Sequence, residues 1–290
     1  MIRYYYTFLM FVFINGFSTG QVKTMKSMQN NKAKAAVSGD FLTYTVHVSE
    51  SNARCQVLIN DVPLMYYEGK GPRSFYANDA ILSSGLQSIK IITEGKMPEV
   101  RINETKNLPG AYKEMEIWKN NGSAEGEFAA TVTYDFEGWR KSDLIIANNA
   151  AKNQALNWFT QMGQLLKAGK GTDFMELLVP AEKTAAVLFN LKEEETAKFH
   201  SNWIGYINKK EYTLVPVSEC KVEVVGRGRL IHLVNKYQEG GFALKANNGQ
   251  LLLLDIYLHL PAGRGKIEPV LANFKQITSN YNKLLEGKEK

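Results

Sequence analysis

Polar and apolar positions alternate with period two through most of the first half of the chain. Phe41-Leu42-Thr43-Tyr44-Thr45-Val46-His47-Val48 sets Thr43, Thr45 and His47 against Tyr44, Val46 and Val48, as a half-buried strand requires. Gln56–Ile59 and Val62–Tyr67 read as a hairpin, because Asn60-Asp61 between them tolerates left-handed backbone. Ser88–Thr93, Val100–Ile102, Tyr112–Trp118 and Phe128–Tyr134 supply further strands, separated by turn clusters such as Ser83-Ser84-Gly85 and Lys119–Ser123. Short strands at this spacing predict an antiparallel sandwich over residues 40–142, with no helix before residue 145.

The period then changes. Ala151, Ala155, Trp158, Phe159, Met162, Leu165 and Leu166 recur at helical spacing, and Gly169-Lys170-Gly171 ends that helix. Asp173–Leu178 reads as a helical turn, Pro180 opens a further helix through Leu188, and Glu193–Ile207 is another. After Glu211 period two returns in Tyr212–Val217, Lys221–Val225, Leu230–Val234, Phe242–Lys245 and Leu251–Leu258. Val270–Leu285 reads as a terminal helix, with Leu271, Phe274, Ile277 and Tyr281 on one face. The expectation is a two-domain chain, the sandwich being followed by an α+β domain over 148–288 whose helices pack on a curved antiparallel sheet.

The first twenty residues stand apart. Met1-Ile2-Arg3 is a short positive start, Tyr4–Phe17 is uncharged and apolar, and Ser18-Thr19-Gly20 offers small residues to a signal peptidase. That reads as a signal peptide over 1–20 with Gln21 as the mature start. The apolar run is too short for the roughly 20 residues a spanning helix needs. Residues 21–39 are polar and aperiodic, a flexible leader. A periplasmic or secreted location follows, with no membrane span after cleavage. Export permits a Cys55–Cys220 disulfide, but two buried free thiols in separate domains are the favoured reading.

The segment Cys55–Leu64, followed by Ala77–Ile91, resembles the hairpin of galactose-binding-like accessory β-sandwich domains, with Asp61 where Gly is usual and Gln87 where Asn is usual. The likeness lies in turns and implies a fold more than a sugar site. The element order of 148–288 is similar to that of nuclear-transport-factor-like cone domains, in which a long helix crosses a bent sheet.

Composition and charge narrow the function classes. A chain that is 44% hydrophobic and 22% charged is of globular type. Residues 21–147 carry fifteen basic and fifteen acidic side chains, whereas 148–290 carry nineteen and fourteen. The bases are scattered and not interleaved with aromatics, so nucleic acid is not the expected partner. Arg227 and Arg229 are glycine-flanked and suit an anionic group, or are solvated turns.

The histidines are His47, His200, His232 and His259, and no two stand at metal-ligand spacing. The sequence contains no Gly-x-Ser-x-Gly elbow, phosphate loop, dinucleotide fingerprint or His-Glu-x-x-His, and no metal or cofactor is expected. Asp255, Tyr257 and His259 share one strand face, which would give an acid/base pair if that face lined a cavity with His232 beside it. The bland alternative is a polar sheet face meeting water or a partner. Tyr66, Tyr67, Phe75 and Tyr76 flank the loop Glu68–Arg73 and are the better candidates for surface aromatics. Trp158 and Trp203 sit on apolar helix faces as core residues. The expectation is an exported, non-enzymatic binding protein for a protein or carbohydrate ligand, such as an inhibitor or immunity-type protein. Its binding residues would be Tyr66, Tyr67, Phe75, Tyr76, Arg227 and Arg229. The competing class is a hydrolase or isomerase-like enzyme using Asp255, His259 and His232.

Overall fold

In the structure, a computed structural model, residues 41–277 are described, apart from 52, 68–71, 109–110, 216–219, 235–239 and 248–250. The expected signal segment 1–20, the leader 21–39 and the loop tip 68–71 lie outside the described residues. Eight strands come first: β1 (Leu42–Val48), β2 (Arg54–Ile59), β3 (Val62–Tyr67), β4 (Arg73–Tyr76), β5 (Gly85–Glu94), β6 (Val100–Leu108), β7 (Ala111–Lys119) and β8 (Glu125–Ala130). They make two antiparallel four-stranded sheets, ordered β4-β1-β6-β7 and β3-β2-β5-β8.

The alternation read in β1 holds: Tyr44, Val46 and Val48 are buried while Thr43, Thr45 and His47 are half-buried. Tyr44 and Val46 from one sheet meet Val57, Ile59, Ile89, Ile91 and Phe128 from the other in a first core. Asn60 and Asp61 turn the β2–β3 hairpin with φ of 52° and 64°, which suits the right-handed twist of the flanking strands. Arg73–Tyr76 pairs with β1, so the segment read only as a loop flank is a strand too short to show a period. The strand expected over Phe128–Tyr134 stops at Ala130, where the Thr131 N–H donates to the Tyr44 hydroxyl at 2.7 Å instead of to a neighbouring strand.

Three helices follow: α1 (Asn149–Ala168), α2 (Gly171–Leu188) and α3 (Glu193–Lys209). The Asn148 side chain caps α1 by accepting from the Ala151 N–H at 2.9 Å, and Gly169 ends it at φ 71°. Ala151, Ala155, Phe159, Met162 and Leu166 form its buried face. Pro180 does not open a helix; it lies inside α2, which runs unbroken from Gly171. Burial of Phe174, Met175, Leu178 and Ala181 on both sides of the proline outweighs the hydrogen bond it cannot donate. At the start of α3, the Glu195 carboxylate accepts from the Lys192 N–H at 2.8 Å, and three glutamates in the first turn suit the helix dipole.

The last sheet contains β9 (Tyr212–Val215), β10 (Lys221–Val225), β11 (Leu230–Val234), β12 (Phe242–Ala246), β13 (Leu251–His259) and β14 (Glu268–Ile277). β14 runs antiparallel along the whole of β13, while β11 and β12 pair with opposite halves of its other edge. β10 backs β11, and β9 backs β12. The expected terminal helix is therefore corrected, because Glu268–Ile277 is a strand. Leu271, Phe274 and Ile277 fit a helical stripe, but β13 offered an unpaired edge, and pairing decides conformation in such a short apolar stretch. Residues 278–290 lie outside the described residues.

This curled sheet is buried on both faces. Leu252, Leu254, Ile256 and Leu258 of β13, with Leu260 just after it, join α1, α2 and α3 in a second core. On the other face, Tyr257, Leu230, Val270 and Leu271 belong to the first core, together with Leu188 at the end of α2. The connecting segment is anchored in both, with Trp139 in the first core and Ile145 in the second. Cys55 is buried in the first core and Cys220 packs on the second; both are free thiols, each pushed up to about 11 by burial. Both are therefore protonated and unreactive near neutral pH.

The contact of α2 with α3 depends on Gly171, since a Cβ there would lie 2.5 Å from the Ile204 carbonyl oxygen and 2.9 Å from its Cα. Gly171→Ala is expected to force α2 and α3 apart and to cost about 1–3 kcal/mol, read as a lower urea midpoint at unchanged m-value.

Candidate functional site

The period-two reading placed Asp255, Tyr257 and His259 on one face of β13, and they lie there, with His232 opposite Tyr257 on β11. All four are buried, with exposures of 4%, 1%, 7% and 2% in that order. His232 Nε2 bonds to Asp255 Oδ1, and the imidazole stacks on the Tyr257 ring with centroids 4.2 Å apart and planes 12° from parallel. The Tyr257 hydroxyl donates to the Pro63 carbonyl of β3 at 2.6 Å. The face expected to line a cavity is thus covered by the first core.

His259 lies at the end of the same face. Its Nδ1 is 2.7 Å from the Ser142 hydroxyl and its Nε2 is 3.4 Å from Glu268 Oε1. Arg264 meets the other oxygen of Glu268 at 3.5 Å. Burial lowers the affinity of His259 for a proton, and Glu268 partly offsets this. Serine, imidazole and carboxylate stand in line, yet the Ser142 side is sealed: Ser142 is 2% exposed, and its carbonyl accepts from the Arg229 guanidinium.

The expected binding residues are dispersed. Arg227 is exposed in a turn at φ 57°; its backbone N–H donates to the Asp61 carboxylate at 2.7 Å, beside a Gly226 N–H to Asp61 carbonyl bond of 2.8 Å. Two turns from different sheets therefore clasp one another. Phe75 is half-buried against the first core, and Tyr76 packs edge-on against Phe189 with centroids 5.9 Å apart. Tyr66 is half-buried in β3, and Tyr67 closes that strand opposite Cys55.

The sequence reading did not identify the outer face of the β4-β1-β6-β7 sheet. The register sets Ser74, His47, Arg101 and Lys119 in one row and Tyr76, Thr45, Asn103 and Glu116 in the next. His47 Nδ1 is 2.6 Å from the Ser74 hydroxyl, and its Nε2 faces Glu114 Oε1 at 3.3 Å. The Asn103 amide donates to that same oxygen at 2.7 Å. Burial lowers the His47 proton affinity; Glu114 opposes the shift and Arg101 adds to it. Arg101 also reaches Glu99 at 3.3 Å and Glu116 at 3.7 Å, and Lys119 reaches Glu99 at 2.5 Å. The clue was present in the sequence: the same alternation that buries Tyr44 and Val46 turns Thr45 and His47 outward.

Serine, histidine and glutamate recur here as well, but on an open sheet face. Backbone N–H groups in a sheet lie in the ladder plane, so they do not converge on a point above Ser74 as an oxyanion hole requires. Beyond this face, a shallow groove of about 460 Å³ runs along Asp61, Ser88, Lys90, Glu125 and Glu127 on the other four-stranded sheet. Its lining carries no aromatic ring, unlike an enclosed small-molecule pocket. Among the described residues, no group of three or more His, Cys, Asp or Glu is placed to hold a metal ion, and no helix is long and apolar enough to cross a membrane.

No family model matches the chain, and neither the curated proteins nor the solved structures yield a match.

Two outcomes follow. Asp255→Ala leaves a buried imidazole without its partner and is expected to cost about 3–5 kcal/mol, whereas His232→Leu combined with Asp255→Leu recovers most of that; urea titration of the three proteins measures both. His259 gives a pH signature. Its native proton affinity lies below the ordinary imidazole value of 6.5, so the unfolded chain takes up the proton first as pH falls. The stability due to neutral His259 is complete above that value and is lost as pH drops through it towards the lowered native value. His259→Asn should therefore flatten the fall in urea midpoint between about pH 7.5 and about pH 5, and His47→Asn should act in the same direction.

Proposed function

We propose that this chain is an exported binding protein without catalysis of its own, and that it recognises another protein through the outer face of the β4-β1-β6-β7 sheet. The observation that carries this reading is the row Ser74, His47, Arg101 and Lys119, with Asn103, Glu114 and Glu116 beside it: a flat face of both charge signs and many hydrogen-bonding groups. Such a face suits a partner of complementary charge pattern, where polar matching sets specificity and encounter rate. Between the protein and glycan partners considered from sequence, the protein is favoured. Sugar recognition by stacking needs a ring laid open on the face, whereas the aromatic residue of these rows, Tyr76, packs edge-on against Phe189.

The domain reading belongs to the same proposal. Residues 40–142 form the recognition domain and 148–288 the supporting one, and the Asp61–Arg227 clasp and the Tyr257–Pro63 bond hold them in one orientation. Export rests on the pattern of Met1–Gly20.

The test uses the chain from Gln21 as bait against envelope and extracellular fractions, alongside a glycan array. Arg101→Glu combined with His47→Ala should abolish capture of the specific partner while circular dichroism stays unchanged, and Lys221→Glu on the far sheet should leave capture intact. Retention of the glycan alone would replace the protein reading. Hydrolysis or isomerisation of any substrate, lost in His259→Gln, would replace the binding reading with the enzyme one.

A further inference from the structure

A second candidate site, independent of the sheet face, lies between α2, α3 and β14. Glu182 of α2 has a side chain that is 10% exposed. One carboxylate oxygen is 2.8 Å from His200 Nδ1 of α3. The other, Oε1, is buried and has no hydrogen-bond partner. Glu182 borders a cavity of about 20 Å³ whose remaining wall is apolar but for Thr196, with Ala181, Ala185, Leu191, Phe199 and Phe274 around it. The Thr196 hydroxyl donates to the Lys192 carbonyl at 3.3 Å, so it offers nothing to Glu182.

A buried carboxylate oxygen without a donor is destabilising, more so for a charged group. His200 steadies the carboxylate through one oxygen, and Glu182 is the charged residue of the cavity lining. The matching group must donate hydrogen bonds, carry positive charge and be small, and its attachment must be apolar. A divalent metal ion does not fit, because it needs about six oxygen ligands and only one carboxylate lines the wall. A quaternary ammonium fails on size and has no N–H. A primary ammonium satisfies each condition: its protons meet Glu182, and its charge lies near Phe199 and Phe274, whose rings stand 5.5 Å apart in an edge-to-face pair.

We propose that the cleft between α2, α3 and β14 binds a primary ammonium group on an alkyl chain, with Glu182 as its anion, His200 positioning Glu182, and Phe199 and Phe274 flanking the charge. Such a head group is carried by free alkylamines and by lysine side chains of a polypeptide, and the same contacts serve both. Burial also raises the proton affinity of Glu182, with His200 opposing, so an incoming cation has a protonation equilibrium to displace.

Isothermal titration and thermal unfolding of the chain from Gln21 test this with n-butylammonium chloride and Nα-acetyl-lysine methylamide as probes. Butanol, tetramethylammonium chloride and sodium chloride at equal ionic strength serve as controls. A saturable response to a primary ammonium probe, with none to the controls, is the expected result, and the lysine derivative alone responding would identify a polypeptide as the source. Glu182→Gln keeps the shape and should weaken binding about ten- to a hundred-fold, the range for a lost charged hydrogen bond. Ala185→Leu fills the cleft while leaving the carboxylate in place, and should abolish the response even if the first variant folds poorly. A wild-type chain that shows no saturable response, or variants that respond as the wild type does, would overturn the proposal.

Discussion

A sheet that must be buried on both faces governs this structure. β13 carries leucine and isoleucine towards three helices and Asp255, Tyr257 and His259 towards the two four-stranded sheets. Burying the second face is made tolerable by the pairing of most polar groups on it: His232 Nε2 with Asp255, Tyr257 with Pro63, and His259 with Ser142 and Glu268, while His232 Nδ1 is left unpaired among the described residues. Close packing of polar groups without water is costly when any one partner is missing, so these matches act together. They fix the separation of the two cores and the position of the connecting segment, which carries Ser142.

The consequence for chemistry is a division of labour among the histidines. Two are enclosed in the seam and serve as fitted polar packing. His47 faces out from a sheet of mixed charge, and His200 steadies a carboxylate at a cleft. The groups that look most catalytic in the sequence are thus the least accessible.

Much of this was legible residue by residue. Period two in Phe41–Val48 and Leu251–His259 gave the strands and the correct faces, and Asn60-Asp61 announced its turn. What covers the Asp255 face was not legible, since Tyr257 meets a carbonyl 194 positions away and His259 meets a serine 117 positions away. Local pattern carries no information on such pairings. The same limit explains β14: Leu271, Phe274 and Ile277 satisfy a helix as well as a strand until a neighbouring edge decides. It also explains Pro180, which marks a helix start only where the burial on either side does not demand continuity. His47 was visible as an outward residue, but Ser74, Arg101 and Glu114 join it through the order of the strands.

The two thiols also bear on how the two cores are joined. Cys55 lies within one core and Cys220 rests on the other, with the curled sheet's layers keeping those cores distinct. Burial raises the proton affinity of both, so neither ionises readily at neutral pH. A bridge between them would tie one core covalently to the other.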